Sequence, residues 1–295
     1  MMVKCGILIM IGVCGVIVQE VLNLYNDCSE DVKKLLMNVL SYLEKIDKDE
    51  VLKYCNSLCQ LKRLCPEFTI RIMNQECSCF VSHDNMVIID GNSLMNYCTF
   101  FHELTHAFHY YSKNFTIPDR FEEIIYNLRV NKRQDENFLT ILKYIEEKYV
   151  NEKHSLKNEQ NEYINNVNDD NSEVRAMYIQ VLQCLEDILD AIYHGNLHDH
   201  GLFYERDMDN YCVNIAKISG HGEEYYASKN NDYLEMIANY GAIRNSQFWE
   251  QMFKIMVLVL GEDLMMLLEK DYLEIMNLTS YDKVMDIDNN SKKIR

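Results

Sequence analysis

The chain has 295 residues, a formal net charge of -17, and only 10 glycines and 2 prolines. That length suits one large domain or two small ones with a sizeable core, and the scarcity of helix breakers favours a helix-rich fold. A strongly acidic chain with no long Lys/Arg run repels phosphate backbones, so nucleic acid is not expected as a partner.

The amino terminus carries an apolar run, "CGILIMIGVCGVIV" (Cys5–Val18), preceded by Lys4. Its length is short for a membrane span and matches the core of a signal peptide, yet no small-x-small cleavage site follows. Its Ile/Val content fits a buried element equally well, so a buried segment and a signal or anchor both stand. A membrane association is expected only through this run. The 11 cysteines are odd in number, in a chain too large to need disulfide staples, and no CxxC pair occurs. They read as buried thiols of a reducing compartment, which favours a cytoplasmic setting, whereas a signal or anchor would make the chain secreted or membrane-attached.

Residues 19–65 show apolar positions at helical spacing, with a start signal at Ser29–Glu30–Asp31. After Pro66 the period changes to two. "EFTIRIMNQ" (Glu67–Gln75) alternates Phe68, Ile70 and Ile72, and two further strand-like runs follow at Cys77–Val81 and Met86–Ile89 around a His83–Asp84–Asn85 turn. Asp90–Gly91–Asn92–Ser93 ends the sheet and caps a helix containing "TFFHELTHAFHYY" (Thr99–Tyr111). More helix is expected over Pro118–Tyr149. The stretch 148–172, rich in Asn, Asp, Glu and Lys, reads as an exposed insertion. Helix resumes at Glu173 and stops at Gly195, 196–230 are irregular, and two or three closing helices cover Tyr233–Ile243 and Phe248–Met276. The expected organisation is an apolar and helical extension over 1–66, one catalytic domain over 67–281, and a polar tail over 282–295.

His102 and His106 are four residues apart, so on a helix they share a face and present both imidazoles to one point. Glu103 stands beside them. This is the HExxH arrangement in which two histidines hold zinc, the ion lowers the pKa of a water, and the glutamate takes the proton. Except for Glu103, no acidic or Lys/Arg side chain lies between Thr99 and Tyr111, which predicts a mostly buried helix. His109 lies near the same face and reads as packing or support rather than a ligand. A third ligand is required. His109 and Ser112 stand where a metzincin places glycine and histidine, which excludes that solution. The remaining common solution is a later glutamate. Glu235 in "YLEMIANY" is the best candidate, because a carboxylate in so apolar a setting is costly unless something pairs with it. Glu223 and Glu224 compete, but a loop setting after Gly222 suits solvent better. His221, beside them, could orient the glutamate, donate to an oxyanion or cap a loop. His194, His198 and His200 form another cluster, in a polar loop where histidines collect without a metal.

The runs "HELTHAFHYY", "LEDILDAIYHG", "GHGEEYY" and "EMIANYGAI" occur in an order that resembles gluzincin-type metallopeptidases, a group including the anthrax lethal factor catalytic domain and zincin-like domains of phage head proteins and bacterial toxins. The resemblance spans roughly residues 85–275. It implies an α+β, helix-rich zincin-like fold with a small mixed sheet packed on the HExxH helix. It also implies one Zn2+ per chain, with His102, His106 and Glu235 as ligands, Glu103 as general base, and Ala238 as the small residue of an E-x-x-A motif. A tyrosine upstream of the glutamate would assist at the oxyanion. Here the chain departs from the pattern, because Tyr226 stands further from Glu235 than in such sequences. Tyr225, Tyr226 and Tyr233 all remain candidates, with Tyr226 first. The expected activity is zinc-dependent hydrolysis of a peptide or protein substrate, and the acidic surface would suit a basic peptide. The alternative is a non-catalytic binding or structural module of the same fold; retention of Glu103 and all the ligand positions favours the enzyme.

Overall fold

The computed structural model describes residues 13–74, 77–91, 97–112, 117–132, 170–192, 207–208, 211–212, 223–226 and 230–276. The chain is helix-rich α+β with a small mixed sheet. Three helices come first: α1 (Val13–Leu24), α2 (Glu30–Ile46) and α3 (Lys48–Leu64). Ser29 caps α2 as its sequence suggests, its hydroxyl accepting from the Val32 amide at 3.4 Å. Asp47 ends α2 and starts α3, accepting from the Asp49 amide at 2.8 Å. The helical period of α2 is realised as a buried stripe of Val32, Leu35, Leu36, Val39, Leu40 and Leu43.

The period-two region forms β1 (Thr69–Met73), β2 (Cys79–Val81) and β3 (Met86–Asp90) in the order β1-β3-β2. β1 runs parallel to β3, with Thr69 opposite Met86, and β2 runs antiparallel to it. Asn85, in the turn before β3, has φ 51°, a left-handed conformation that asparagine tolerates. The buried Lys62 ties α3 to the start of the sheet: its ammonium pairs with Asp27 at 2.8 Å and donates to the Phe68 carbonyl at 2.6 Å.

The HExxH run is helical, as expected, in α4 (Tyr97–Tyr111). Its far end meets the sheet region through aromatic edges, Tyr111 against Phe68 and both Tyr110 and Tyr111 against Phe80. Then come α5 (Phe121–Lys132), α6 (Asp170–Ile192), a hairpin of β4 (Asp207–Met208) and β5 (Tyr211–Cys212), α7 (Glu223–Tyr226), α8 (Asn231–Arg244) and α9 (Trp249–Met276). α6 starts at Asp170, three residues before the expected Glu173, because Asp, Asn and Ser are well tolerated at a helix start. The Glu223–Tyr226 stretch is one helical turn rather than loop. α9 is interrupted at Gly261, whose φ 79° and ψ 161° only glycine adopts at low cost.

The described residues cluster into two compact units. One contains those before residue 95, with Glu103–Ser112 of and after α4 and the last turn of α9. Its core includes Tyr25 packed edge-on to Phe68 and Tyr54 edge-on to Phe108. The other contains Tyr97–His102 and 117–272, with α8 packed along α6. Among the described residues no helix is long and apolar enough to cross a membrane. Cys28, Cys59, Cys65, Cys98 and Cys184 are buried thiols, not disulfides. Residues 5–12 of the apolar run, most of the 148–172 insertion and the 282–295 tail lie outside the described residues.

Candidate metal centre on α4 and α8

Two helices with little exposed surface build the site. On α4, Glu103, Leu104, Thr105, Ala107, Phe108 and His109 are all buried, while His102 and His106 keep partial exposure. The i,i+4 spacing puts the two imidazoles on one face; Glu103 is rotated about 100° from His102 and about 60° from His106. On α8, ten residues are buried, Glu235 and Asn239 among them. These two are also i,i+4, so a carboxylate and an amide leave α8 from the same face.

The three expected ligands come together. One ligand atom each from His102, His106 and Glu235 lie within 4.8 Å of one another, a geometry suited to a metal ion. His102 Nε2 is 3.4 Å from Glu235 Oε2. On the other side of the ring, His102 Nδ1 is 3.0 Å from Asn239 Oδ1. An amide oxygen accepts, so Nδ1 carries the proton and Nε2 turns its lone pair toward the carboxylate. Two lone pairs 3.4 Å apart repel unless a proton or a cation lies between them. A proton there makes an ion pair of His102 and Glu235, and a cation would also take in the nearby His106. Ligands ~2.0–2.1 Å from a tetrahedral zinc ion stand about 3.4 Å apart. The 3.4 Å separation and the His–His–Glu donor set therefore fit zinc.

The glutamate is held from its other oxygen. Tyr225 donates its hydroxyl to Glu235 Oε1 at 2.7 Å, leaving Oε2 for His102. The Tyr225 carbonyl in turn accepts from Asn231 Nδ2 at 2.9 Å, fixing α7 to the first turn of α8. Tyr226 packs edge-on to Tyr225 and is 2% exposed. Burial, then the carboxylates of Asp187, Glu235 and Asp190, push its hydroxyl pKa far above the ordinary tyrosine value. Tyr233 is engaged elsewhere: its ring packs on Phe121 and its hydroxyl donates to Asp271. Glu103 is 7% exposed on α4, and His109, 3% exposed, is not among the three clustered ligands. His221, His194, His198 and His200 lie outside the described residues.

Two residues at the site have parts that differ from what their sequence suggests. Asn239 grips His102, and its signal was present as a polar residue four positions after Glu235 inside an apolar run. Tyr225 was a candidate for the oxyanion, but its hydroxyl is bonded to the ligand carboxylate. Searches of protein-family models, curated proteins and solved structures give no match to this chain.

Proposed function

We propose that this chain is a zinc-dependent endopeptidase of the gluzincin type, with a zincin-like fold. The observation that carries the reading is the convergence of His102, His106 and Glu235, with His102 held by Asn239 and Glu235 held by Tyr225 so that His102 Nε2 and Glu235 Oε2 face each other. Zinc held there would supply Lewis acidity toward a peptide carbonyl and lower the pKa of water.

The chain's own residues then divide the work. Asn239 fixes the tautomer and plane of His102, and Tyr225 fixes the rotamer of Glu235. Glu103 takes the proton from the attacking water and returns it to the departing amide nitrogen, as a carboxylate at this position of a buried helix can. Tyr226 remains protonated across the physiological range, which suits a hydrogen-bond donor to the developing oxyanion. His221, in the same "GHGEEYY" stretch of the sequence, is a further candidate to orient Glu235 or donate to the oxyanion. The substrate is a peptide or protein.

Elemental analysis of the purified chain, combined with cleavage of a peptide library with and without a chelator, tests the reading. About one zinc per chain is expected, with cleavage abolished by the chelator. Glu103→Ala should keep the zinc and lose hydrolysis. Cleavage unchanged in Glu103→Ala would sink the mechanism, and a zinc-loaded wild-type chain that cleaves nothing would make it a binding module.

A further inference from the structure

A second cluster of metal-loving atoms lies in the same unit as Glu235 and Asn239, and the peptidase reading makes no use of it. Cys98, in the first turn of α4, donates its thiol to Met177 Sδ on α6 at 3.3 Å. Cys184, also on α6, has Cys98 as a neighbour close enough to raise its thiol pKa. Exposures of 1% for Cys98, 5% for Met177 and 8% for Cys184 leave all three out of water. Met177 and Cys184 are seven residues apart, two turns of one helix stripe, so α6 presents both sulfurs to the single thiol of α4.

Thiolate and thioether sulfur are soft donors, and soft donors select Cu(I) over the hard cations that prefer oxygen. Two sulfurs each ~2.3 Å from one ion stand about 3.8 Å apart in tetrahedral geometry. The 3.3 Å contact therefore needs to open by about half an ångström, within reach of the three rotatable bonds of methionine. Charge decides between a monovalent and a divalent ion. Burial favours a site with no net charge. A monovalent ion replacing one proton keeps the site neutral, whereas a divalent ion would require both thiols to ionise. The neighbouring Cys98 thiol, burial and the Asp187 carboxylate all raise the Cys184 pKa, which favours its protonated form.

We propose that Cys98, Met177 and Cys184 form a binding site for a soft monovalent cation, Cu(I), bridging α4 and α6 four residues ahead of His102. The Cys98 S–H bond breaks, a Cys98 S–Cu bond forms, and one proton leaves to solvent. Met177 and Cys184 add lone pairs, and no electron changes hands. The site is independent of the zinc reading and stands or falls without it.

The test uses the full-length, reduced, zinc-loaded chain under anaerobic conditions, titrated with Cu(I) supplied as its acetonitrile complex against a chromophoric Cu(I) chelator. X-ray absorption of the first copper equivalent should show a shell of sulfur alone. Cys98→Ala should abolish that first equivalent. Met177→Leu, which conserves volume, should weaken it at least about tenfold, the scale on which metal sites respond to altered ligand surroundings. Cys77→Ala, which removes an exposed thiol outside both sites, should leave it unchanged. Nitrogen or oxygen in the copper shell overturns the proposal, as does a first equivalent held at wild-type affinity by Cys98→Ala or Met177→Leu. If Cys98→Ala does not fold, Met177→Leu alone decides.

Discussion

α2 and α8 are both well buried, and they are buried for different reasons. α2 buries six residues, every one apolar and all on one stripe, and leaves its charged face to solvent. α8 buries ten of its fourteen residues, including a carboxylate and an amide one turn apart. On α2 the hydrophobic effect sets which way the helix faces. On α8 burial gives no such preference, and the polar residues Glu235 and Asn239 mark the side that matters. An amphipathic stripe locates a core; polar residues inside an otherwise apolar helix locate a site.

Substitution separates these two kinds of burial. The largest effect on metal is expected from Glu235→Ala, which removes one of three ligands and leaves His102 and His106 unable to hold zinc at micromolar protein; zinc per chain should fall from about one to near zero. Leu36→Ala on α2 should do the reverse. It opens a cavity costing roughly 2–5 kcal/mol of stability, read as a fall in denaturant midpoint, while zinc per folded chain stays the same. A Glu235→Ala chain with full zinc content would remove α8 from the site. A Leu36→Ala chain that loses zinc while folded would show that the two helices do not differ as described.

Asn239→Ala comes next. It leaves all three ligands in place but frees the His102 ring to rotate and exchange tautomers, so zinc affinity should drop about 10–100-fold, as for other residues that orient metal-bound histidines. Asn239→Asp keeps an acceptor at the same place and should restore most of that affinity. Competition with a chromophoric zinc chelator measures both. Equal loss in the two variants would mean that Asn239 matters for packing and not for the hydrogen bond. Tyr225→Phe should act on a comparable scale, because it removes one hydroxyl donor from Glu235 and preserves the ring packing; a hydrogen bond to a charged group contributes roughly 1.5–3 kcal/mol. The loss should appear in zinc affinity. A loss in turnover at saturating zinc, with affinity intact, would instead give Tyr225 a part in the chemistry.

Much of this was legible in the sequence because it depends on local chemistry. The period of α2, the Ser29 cap, the switch to period two after Pro66 and the face shared by His102 and His106 all follow from spacings of four residues or fewer. Glu235 was legible through cost, since a carboxylate in "YLEMIANY" needs a partner. Asn239 was not, because burying a neutral amide costs far less and an asparagine at that position has many innocent explanations. The sulfur contact between Cys98 and Met177 joins residues 79 apart and has no periodic or motif signature at all. The break in α9 was only half legible. Two or three closing helices left the stretch 248–276 open to one helix or two, and the φ of 79° at Gly261, just before Glu262 and Asp263, shows that the helix stops and restarts there.

The smallest prediction concerns how the two helices begin. α2 starts from a serine in extended conformation whose hydroxyl accepts from the Val32 amide, so one of the amides that the helix leaves unpaired is satisfied by a side chain. α8 starts from Asn230 at φ 80°, and its side chain makes no capping bond. Ser29→Ala should therefore cost about 1 kcal/mol, read as a lower denaturant midpoint with an unchanged slope. Asn230→Gly should cost nothing and can stabilise by a few tenths of a kcal/mol, because glycine adopts a positive φ without strain and no side-chain bond is lost. Matching losses in the two variants would mean that the Asn230 side chain supports α8 after all. A loss confined to Ser29→Ala would show that α2 depends on its cap, whereas α8 is fixed by the groups packed around it.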